Sequence, residues 1–152
     1  MELKHDFSVP LPADQAWQVL LDVERVAPCM PGAYVDAVEN DTVQGRVKVK
    51  LGAAMITYQG TAEFVERDES ARRMVLDAKG KETRGPGTAS ATVTSTLHEE
   101  SGGTRVEVNT DLKITGKPAQ FGRGVMKDVG DKLLGQFAAC LADMLSAESA
   151  ST

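Results

Sequence analysis

Metal-binding, disulfide-rich and membrane-spanning proteins leave marks in a sequence that this chain lacks. Its 152 residues include only two cysteines and two histidines, none of them at metal-site spacing. No apolar run approaches the ~20 residues of a membrane-spanning helix, and residues 1–7 show no signal-peptide pattern. We therefore expect a cytoplasmic protein without a metal site, in which Cys29 and Cys140 are separate, reduced and buried thiols.

The chain also lacks runs of lysine and arginine. Its formal net charge is −5, which argues against a general nucleic-acid-binding protein. Hydrophobic residues make up 41% of the chain and charged residues 26%, as in ordinary soluble domains. A chain of this length forms one domain with a substantial core.

The hydrophobic periodicity changes twice along the chain, from strand to helix and back to strand, before one long helix. The predicted elements are a strand over residues 2–9, helices over 13–21 and 23–27, strands over 34–39, 43–51, 56–64, 73–79, 88–97 and 106–114, and a helix over 118–145. Short loops between consecutive strands favour an antiparallel meander. We predict an α+β fold in which a curved sheet of about seven strands wraps around the long helix. Residues 1–146 form this domain, and residues 147–152 begin a flexible linker.

Glycines interrupt the long helix on its apolar face. Gly122 and Gly130 project onto this face on either side of Met126, although each interior glycine costs roughly 1 kcal/mol relative to alanine. One interpretation is close packing of the helix backbone against the sheet. The other is an open space between helix and sheet that holds an apolar ligand.

The second interpretation predicts an apolar cavity that is entered beside Met30, Gly85 and Phe121. Its lining comes from inward-facing strand positions and from the apolar face of the helix. Tyr58 faces inward, where its hydroxyl donates either to a ligand carbonyl or to a core partner. The predicted ligand-contacting residues are Met30, Val47, Val49, Tyr58, Phe64, Met74, Leu76, Phe121, Gly122, Val125, Met126, Gly130, Leu133 and Phe137.

Charges separate between the two ends of the predicted sheet. Acidic residues collect in the loops near residues 40, 68 and 100, and basic residues collect at the opposite end, beside the start of the long helix. The basic end predicts either attraction to an anionic membrane or partner surface, or ordinary solvated loops. The proposed basic rim consists of Lys79, Lys81, Arg84, Lys117 and Arg123.

No catalytic constellation is apparent. The sequence contains no pair of inward carboxylates, no Ser/His/Asp set and no cluster of metal ligands. His5 lies on the apolar face of its strand, where a histidine is usually a hydrogen-bonded core residue. The glycine-rich residues 80–87 lie between two antiparallel strands, so they do not form a phosphate loop. We predict neither catalytic residues nor a covalently bound cofactor.

Five short segments resemble one known family. They are Cys29–Gly32, Val47–Gly52, Tyr58–Ala62, Lys79–Lys81 with Gly85–Gly87, and Gly116–Gly122. Their order and spacing resemble the family of the carbon monoxide dehydrogenase G subunit, within the START/Bet v 1 (SRPBCC) superfamily of helix-grip proteins. The resemblance covers essentially residues 1–146.

The resemblance implies a non-catalytic accessory protein of the molybdenum CO dehydrogenase system, located at the cytoplasmic face of the membrane. Because that enzyme must pass electrons onward, the expected apolar ligand is a respiratory quinone, either menaquinone or ubiquinone. The expected partners are the dehydrogenase, the quinone and an anionic membrane surface that is bound peripherally. Two alternatives remain: a recruitment or assembly module that binds no quinone, and a cyclase- or aromatase-like enzyme of the same fold.

Overall fold

A computed structural model describes the backbone of residues 1–150 and the side chains of residues 1–147. The elements are β1 (Glu2–Val9), α1 (Ala13–Leu21), α2 (Val23–Val26), β2 (Ala33–Glu39), β3 (Thr42–Leu51), β4 (Ala54–Asp68), β5 (Arg73–Glu82), β6 (Thr88–Glu100), β7 (Gly103–Ile114) and α3 (Gly122–Ala150). Short 3-10 turns over Ala27–Cys29 and Lys117–Phe121 follow α2 and precede α3.

All seven strands form one antiparallel sheet in the order β1-β7-β6-β5-β4-β3-β2. Only the β1–β7 pairing joins strands that are distant in sequence, and its register places Glu2 opposite Asp111 and Val9 opposite Thr104. This arrangement confirms the predicted α+β fold, with β1 and β2 at the two sheet edges.

The long helix covers the sheet unevenly. It packs mainly against β1 and touches the 3-10 turn that follows α2, but has far fewer contacts with β3. The inner face of the sheet is therefore well covered on the β1 side and less covered toward β2. None of the helices in the described part of the chain has the length and apolarity that a membrane span requires.

The bounds of the long helix differ from the prediction at both ends. Residues 117–121 form a 3-10 turn, and Gly122 then adopts φ 75°, a left-handed conformation that interrupts a continuous helix from Pro118. At the other end, α3 continues to Ala150, so residues 147–150 have helical backbone. The end of the predicted linker, residues 151 and 152, lies outside the described residues.

The buried core divides into two clusters. The larger cluster joins α1 and the C-terminal half of α3 to β6 and β7, around Trp17, Val106 and Leu141. The smaller cluster contains Leu51 and Met126 and lies under the first turns of α3. The helix is thus packed onto the sheet in two separate regions.

The two cysteines form a disulfide, so the expectation of separate reduced thiols is wrong. Cys29 in the 3-10 turn after α2 bonds to Cys140 of α3, with the Cα atoms 5.3 Å apart. The packing of this turn against α3 brings together two residues that are 111 positions apart in sequence. Their pairing depends on a tertiary contact that cysteine spacing does not reveal.

Candidate functional site

An apolar cavity of about 450 Å³ lies between the sheet, α2 and α3. The inner faces of β3 to β7 form its floor, and Leu134 and Phe137 of α3 contribute to its wall. Val23, Val26 and Ala27 line it from α2 and the following turn. The volume falls within the ~300–1,000 Å³ that is typical of small-molecule sites.

Two adjacent rows of small residues on the sheet create this space. Ala62, Ala78 and Ala91 lie directly opposite one another on β4, β5 and β6. The next row places Gly60 opposite Gly80 and is likewise without bulky side chains. Both rows line the cavity. The sheet, not the helix, therefore leaves the inner space open.

The structure brings seven of the predicted ligand-contacting residues together around this cavity. They come from the turn before β2, from strands β3, β4 and β5, and from α3. These residues are Met30, Val47, Tyr58, Phe64, Met74, Leu76 and Phe137.

The other seven predicted residues lie outside the cavity lining. Five of them are at the N-terminal part of α3, where the helix either packs against the sheet or faces solvent. Val49, Phe121 and Met126 belong to the smaller core cluster, whereas Gly122 and Val125 are exposed. Gly130 faces His5, and Leu133 is half-buried outside the lining, to which its neighbour Leu134 belongs.

Gly130 accommodates a protein side chain. A Cβ atom at this position would lie 2.5 Å from both Cε1 and Nε2 of the His5 imidazole. The His5 side chain is only 5% exposed, and its Nε2–H donates to the backbone carbonyl oxygen of Lys127 over 3.1 Å. Asp131 Oδ1 lies 3.5 Å from the same nitrogen. The interpretation of Gly130 as open ligand space is therefore incorrect, and close packing of the helix explains this glycine.

Sequence reasoning missed the small residues on the sheet and the contribution of α2. The signal was present, because Gly60, Ala62 and Ala78 occupy inward positions of alternating strands. The large inward residues were the ones predicted to form the lining, whereas the small inward residues leave the space that forms the cavity. Val26 and Ala27 could be assigned to the lining only once the packing of α2 was known.

The cavity opens on the side of β2 and β3. Three lining residues there are exposed, namely Tyr34 at 53%, Val35 at 38% and Val47 at 37%. Neither Gly85 nor Phe121 lines the cavity, so the predicted entrance beside them is misplaced. The difference arises because Phe121 packs into the smaller core cluster and closes that end.

The proposed basic rim lies at one end of the sheet but does not encircle this opening. Among its five residues, only Lys79 belongs to the cavity lining. Lys79 and Lys81 are exposed on the outward-facing positions of β5, and Arg123 donates through Nε to the Glu2 carbonyl oxygen over 3.0 Å. The five rim residues therefore lie on the outside of β5, in the turn that follows it and beside the start of α3.

Tyr58 is the notable polar residue of the lining. Its hydroxyl is buried and has no hydrogen-bond partner among the described residues. Burial and, secondarily, the carboxylate of Glu82 raise the pKa of the Tyr58 phenol above its ordinary value. The phenol consequently remains protonated at neutral pH and retains an unused hydrogen-bond donor.

Metal chemistry has no evident site in the described part of the chain. No group of three or more His, Cys, Asp or Glu side chains there is placed to hold a metal ion. The cavity itself offers a largely apolar lining, with the Tyr58 hydroxyl available to a polar atom of a bound molecule.

A comparison of the sequence with known families identifies one that matches. The family profile for the G subunit of carbon monoxide dehydrogenase (CoxG) matches residues 6–146. The chain belongs to this family. The match confirms the resemblance seen in the sequence, and it spans nearly all of the described CoxG domain.

Solved structures share the fold at low sequence identity. A conserved protein from Geobacillus kaustophilus superposes with a TM-score of 0.82 at 16% identity, covering 97% of this chain and 96% of that one. The ZhuI aromatase/cyclase from Streptomyces sp. R1128 gives a TM-score of 0.64 at 14% identity, with 95% and 92% of the two chains covered. At these identities the likeness establishes the fold alone. No match was found among curated proteins.

Proposed function

We propose that this protein binds an isoprenoid quinone in the cavity between sheet and helix and carries it between the membrane and a molybdenum CO dehydrogenase. The observation that carries the proposal is the apolar space between the sheet, α2 and α3, whose walls include buried residues of the larger core cluster. Membership in the CoxG family supplies the proposed partner, because the family is described as a subunit of CO dehydrogenase.

The dimensions and chemistry of the cavity suit a quinone. About 450 Å³ of apolar space accommodates a ring system and the beginning of an isoprenoid chain. The exposed lining residues on the side of β2 and β3 leave a path by which a longer chain extends outward. The Tyr58 hydroxyl offers one hydrogen-bond donor to a quinone carbonyl.

The basic end of the sheet supports a peripheral position at an anionic membrane surface, on the cytoplasmic side. Among the described ion pairs, none includes Lys79, Lys81, Arg84 or Lys117, so their charges are available to an external partner. Each basic residue near an anionic leaflet contributes about 1 kcal/mol. Screening over ~8 Å at physiological salt keeps such an attachment reversible, as a carrier requires.

Mass spectrometry of the ligand tests the proposal. The purified protein is extracted with organic solvent and the lipids are quantified, with the cavity-filled variant Ala78→Leu purified in parallel as a control. We expect an isoprenoid quinone near one equivalent in the native protein and much less in the variant. Recovery of no lipid from either protein, together with no uptake of added quinone, would favour a recruitment or assembly module.

The enzyme alternative is tested with the same samples. A cyclase- or aromatase-like enzyme would convert its bound ligand, whereas a carrier releases it unchanged. We therefore expect added quinone to be recovered with its original mass after prolonged incubation. A new product that appears only with the native protein would identify an enzyme and contradict the carrier proposal.

A further inference from the structure

The cavity has an end defined by Tyr58. On the inner face of β4, Tyr58 lines the cavity and also packs against the smaller core cluster, so it lies where the open space meets solid packing. Ser95, another inward lining residue, pairs with Met74 on β5, whereas Tyr58 pairs with Glu82. Eight residues of extended β5 separate these pairs, which corresponds to roughly 26 Å. Tyr58 therefore marks one end of an elongated site.

The buried Tyr58 hydroxyl lacks a partner that buried polar groups normally have. Nearly all such groups are hydrogen-bonded, and an unpaired one is unfavourable by about 1–3 kcal/mol. No described residue supplies an acceptor to this hydroxyl. An acceptor atom on a bound molecule would remove this penalty, whereas a purely hydrocarbon ligand would not.

Glu82 places a negative charge beside this end. It lies directly opposite Tyr58 on β5, so the two side chains share the inner face, with Cβ atoms about 5 Å apart. Its carboxylate lies outside the cavity lining and packs against the backbone of Gly87 and Gly116. A Cβ atom on Gly87 would overlap Oε2, and one on Gly116 would lie 3.0 Å from it. None of the described ion pairs includes Glu82. The glycine-rich turn thus accommodates the protein's own carboxylate.

A neutral donor next to an unpaired carboxylate discriminates between ligand head groups. A quinone or ketone oxygen accepts from the phenol without adding charge. A fatty-acid carboxylate would bring a second negative charge close to Glu82, and like charges at this distance repel. The same end therefore favours a neutral carbonyl and disfavours an anionic head group.

We infer that Tyr58 donates a hydrogen bond to a carbonyl oxygen of the bound ligand, and that Glu82 makes this end selective for neutral head groups over carboxylates. This inference rests on the proposed function and specifies where the head group of its ligand binds: beside Tyr58, whose partner on β3, Val47, lies at the opening. The phenol remains a donor across neutral pH because burial and Glu82 both oppose its ionisation.

Binding of two probes tests the inference. They are a short-chain menaquinone and palmitate, titrated against the native protein, Tyr58→Phe, Glu82→Gln and the control Ser101→Ala. Ser101→Ala also removes one hydroxyl, but Ser101 is exposed in the turn before β7 and does not line the cavity. We expect Tyr58→Phe to weaken quinone binding about threefold to tenfold, as loss of one neutral hydrogen bond does. Glu82→Gln should strengthen palmitate binding by about tenfold with little effect on the quinone.

Two further measurements separate a direct hydrogen bond from a structural effect. Infrared spectra of carbonyl-labelled quinone should show one C=O band at lowered frequency with the native protein, and this shift should disappear with Tyr58→Phe. Without ligand, Tyr58→Phe should melt at the same temperature as the native protein or higher, because it removes an unpaired polar group.

The outcomes distinguish this inference from the proposed function. No quinone binding by the native protein would overturn both. If Tyr58→Phe changes neither the quinone affinity nor the carbonyl band, the proposed carrier function stands and the role of Tyr58 is overturned. An equal loss of affinity with Ser101→Ala would also overturn it, and palmitate binding that is unchanged by Glu82→Gln would overturn the selectivity.

Discussion

Replacement of Ala78 by leucine should make the protein more stable while weakening its ligand binding. Ala78 is the middle member of the alanine row on β4, β5 and β6, and it faces the cavity. Leucine adds three carbon atoms, each worth about 0.8 kcal/mol when buried. Side-chain ordering opposes this gain by about 0.5–1 kcal/mol. The net stabilisation is about 1.5 kcal/mol if the added atoms enter open apolar space.

The sign of the effect distinguishes an open cavity from a packed core. In a packed core, the same substitution overfills the site and destabilises the protein by about 1–3 kcal/mol. For a domain of this size, 1 kcal/mol shifts the melting temperature by about 2–4 °C. An open cavity therefore predicts a rise of roughly 3–6 °C for Ala78→Leu, and a packed core predicts a fall.

Calorimetry of the ligand-free protein and a quinone titration together provide the assay. The matched control is Ala37→Leu, since Ala37 is exposed on strand β2 and does not line the cavity. We expect quinone affinity to drop at least about tenfold in Ala78→Leu, equivalent to 1.4 kcal/mol, and to be unchanged in Ala37→Leu. A lowered melting temperature with unchanged affinity would refute the assignment of this space as the ligand site.

Three other predictions concern the helix, the disulfide and the basic surface. Gly130→Ala should lower the free energy of unfolding by about 1–3 kcal/mol, because the new methyl group overlaps His5. In a His5→Ala background the same substitution should raise it by up to about 1 kcal/mol, as measured by urea denaturation. Equal effects in both backgrounds would contradict the overlap. Reduction of the disulfide, which closes a loop of 111 residues, should lower the melting temperature by roughly 5–15 °C, and an unchanged value would argue against the bond. In a co-sedimentation assay at low salt, the variant Lys79/Lys81/Arg84→Glu should bind anionic liposomes about a hundredfold more weakly than the native protein. Equal co-sedimentation of the two proteins would mean that these residues are ordinary solvated surface and do not bind the membrane.

The element order could be predicted from the sequence because each element has a local cause. Alternating residues specify the strands, and the periodicity over Ala13–Leu21 matches α1 residue for residue. The long amphipathic stretch specifies α3 apart from its first turn. Gly122 ends the preceding 3-10 turn in a left-handed conformation that composition alone does not indicate.

The cavity could be predicted only in part because it depends on register across several strands. Ala62, Ala78 and Ala91 are far apart in sequence and form one row only after β4, β5 and β6 pair. Likewise, the space beside Gly130 is ambiguous until β1 brings His5 against the helix. A glycine on a helix face therefore does not distinguish a ligand site from a place for another side chain.

Keeping small residues on the sheet, rather than on the helix, has a consequence for stability. The helix retains its large apolar residues at both ends, where Met126 and Leu141 anchor it to separate clusters. The disulfide adds a covalent connection between α3 and the turn that precedes Met30 in the cavity wall. These attachments hold the cavity open without ligand, although its walls lose the dispersion contacts that a filled core would have. A ligand that fills the space restores those contacts, so the free energy of unfolding should rise with ligand concentration as RT ln(1 + [L]/Kd).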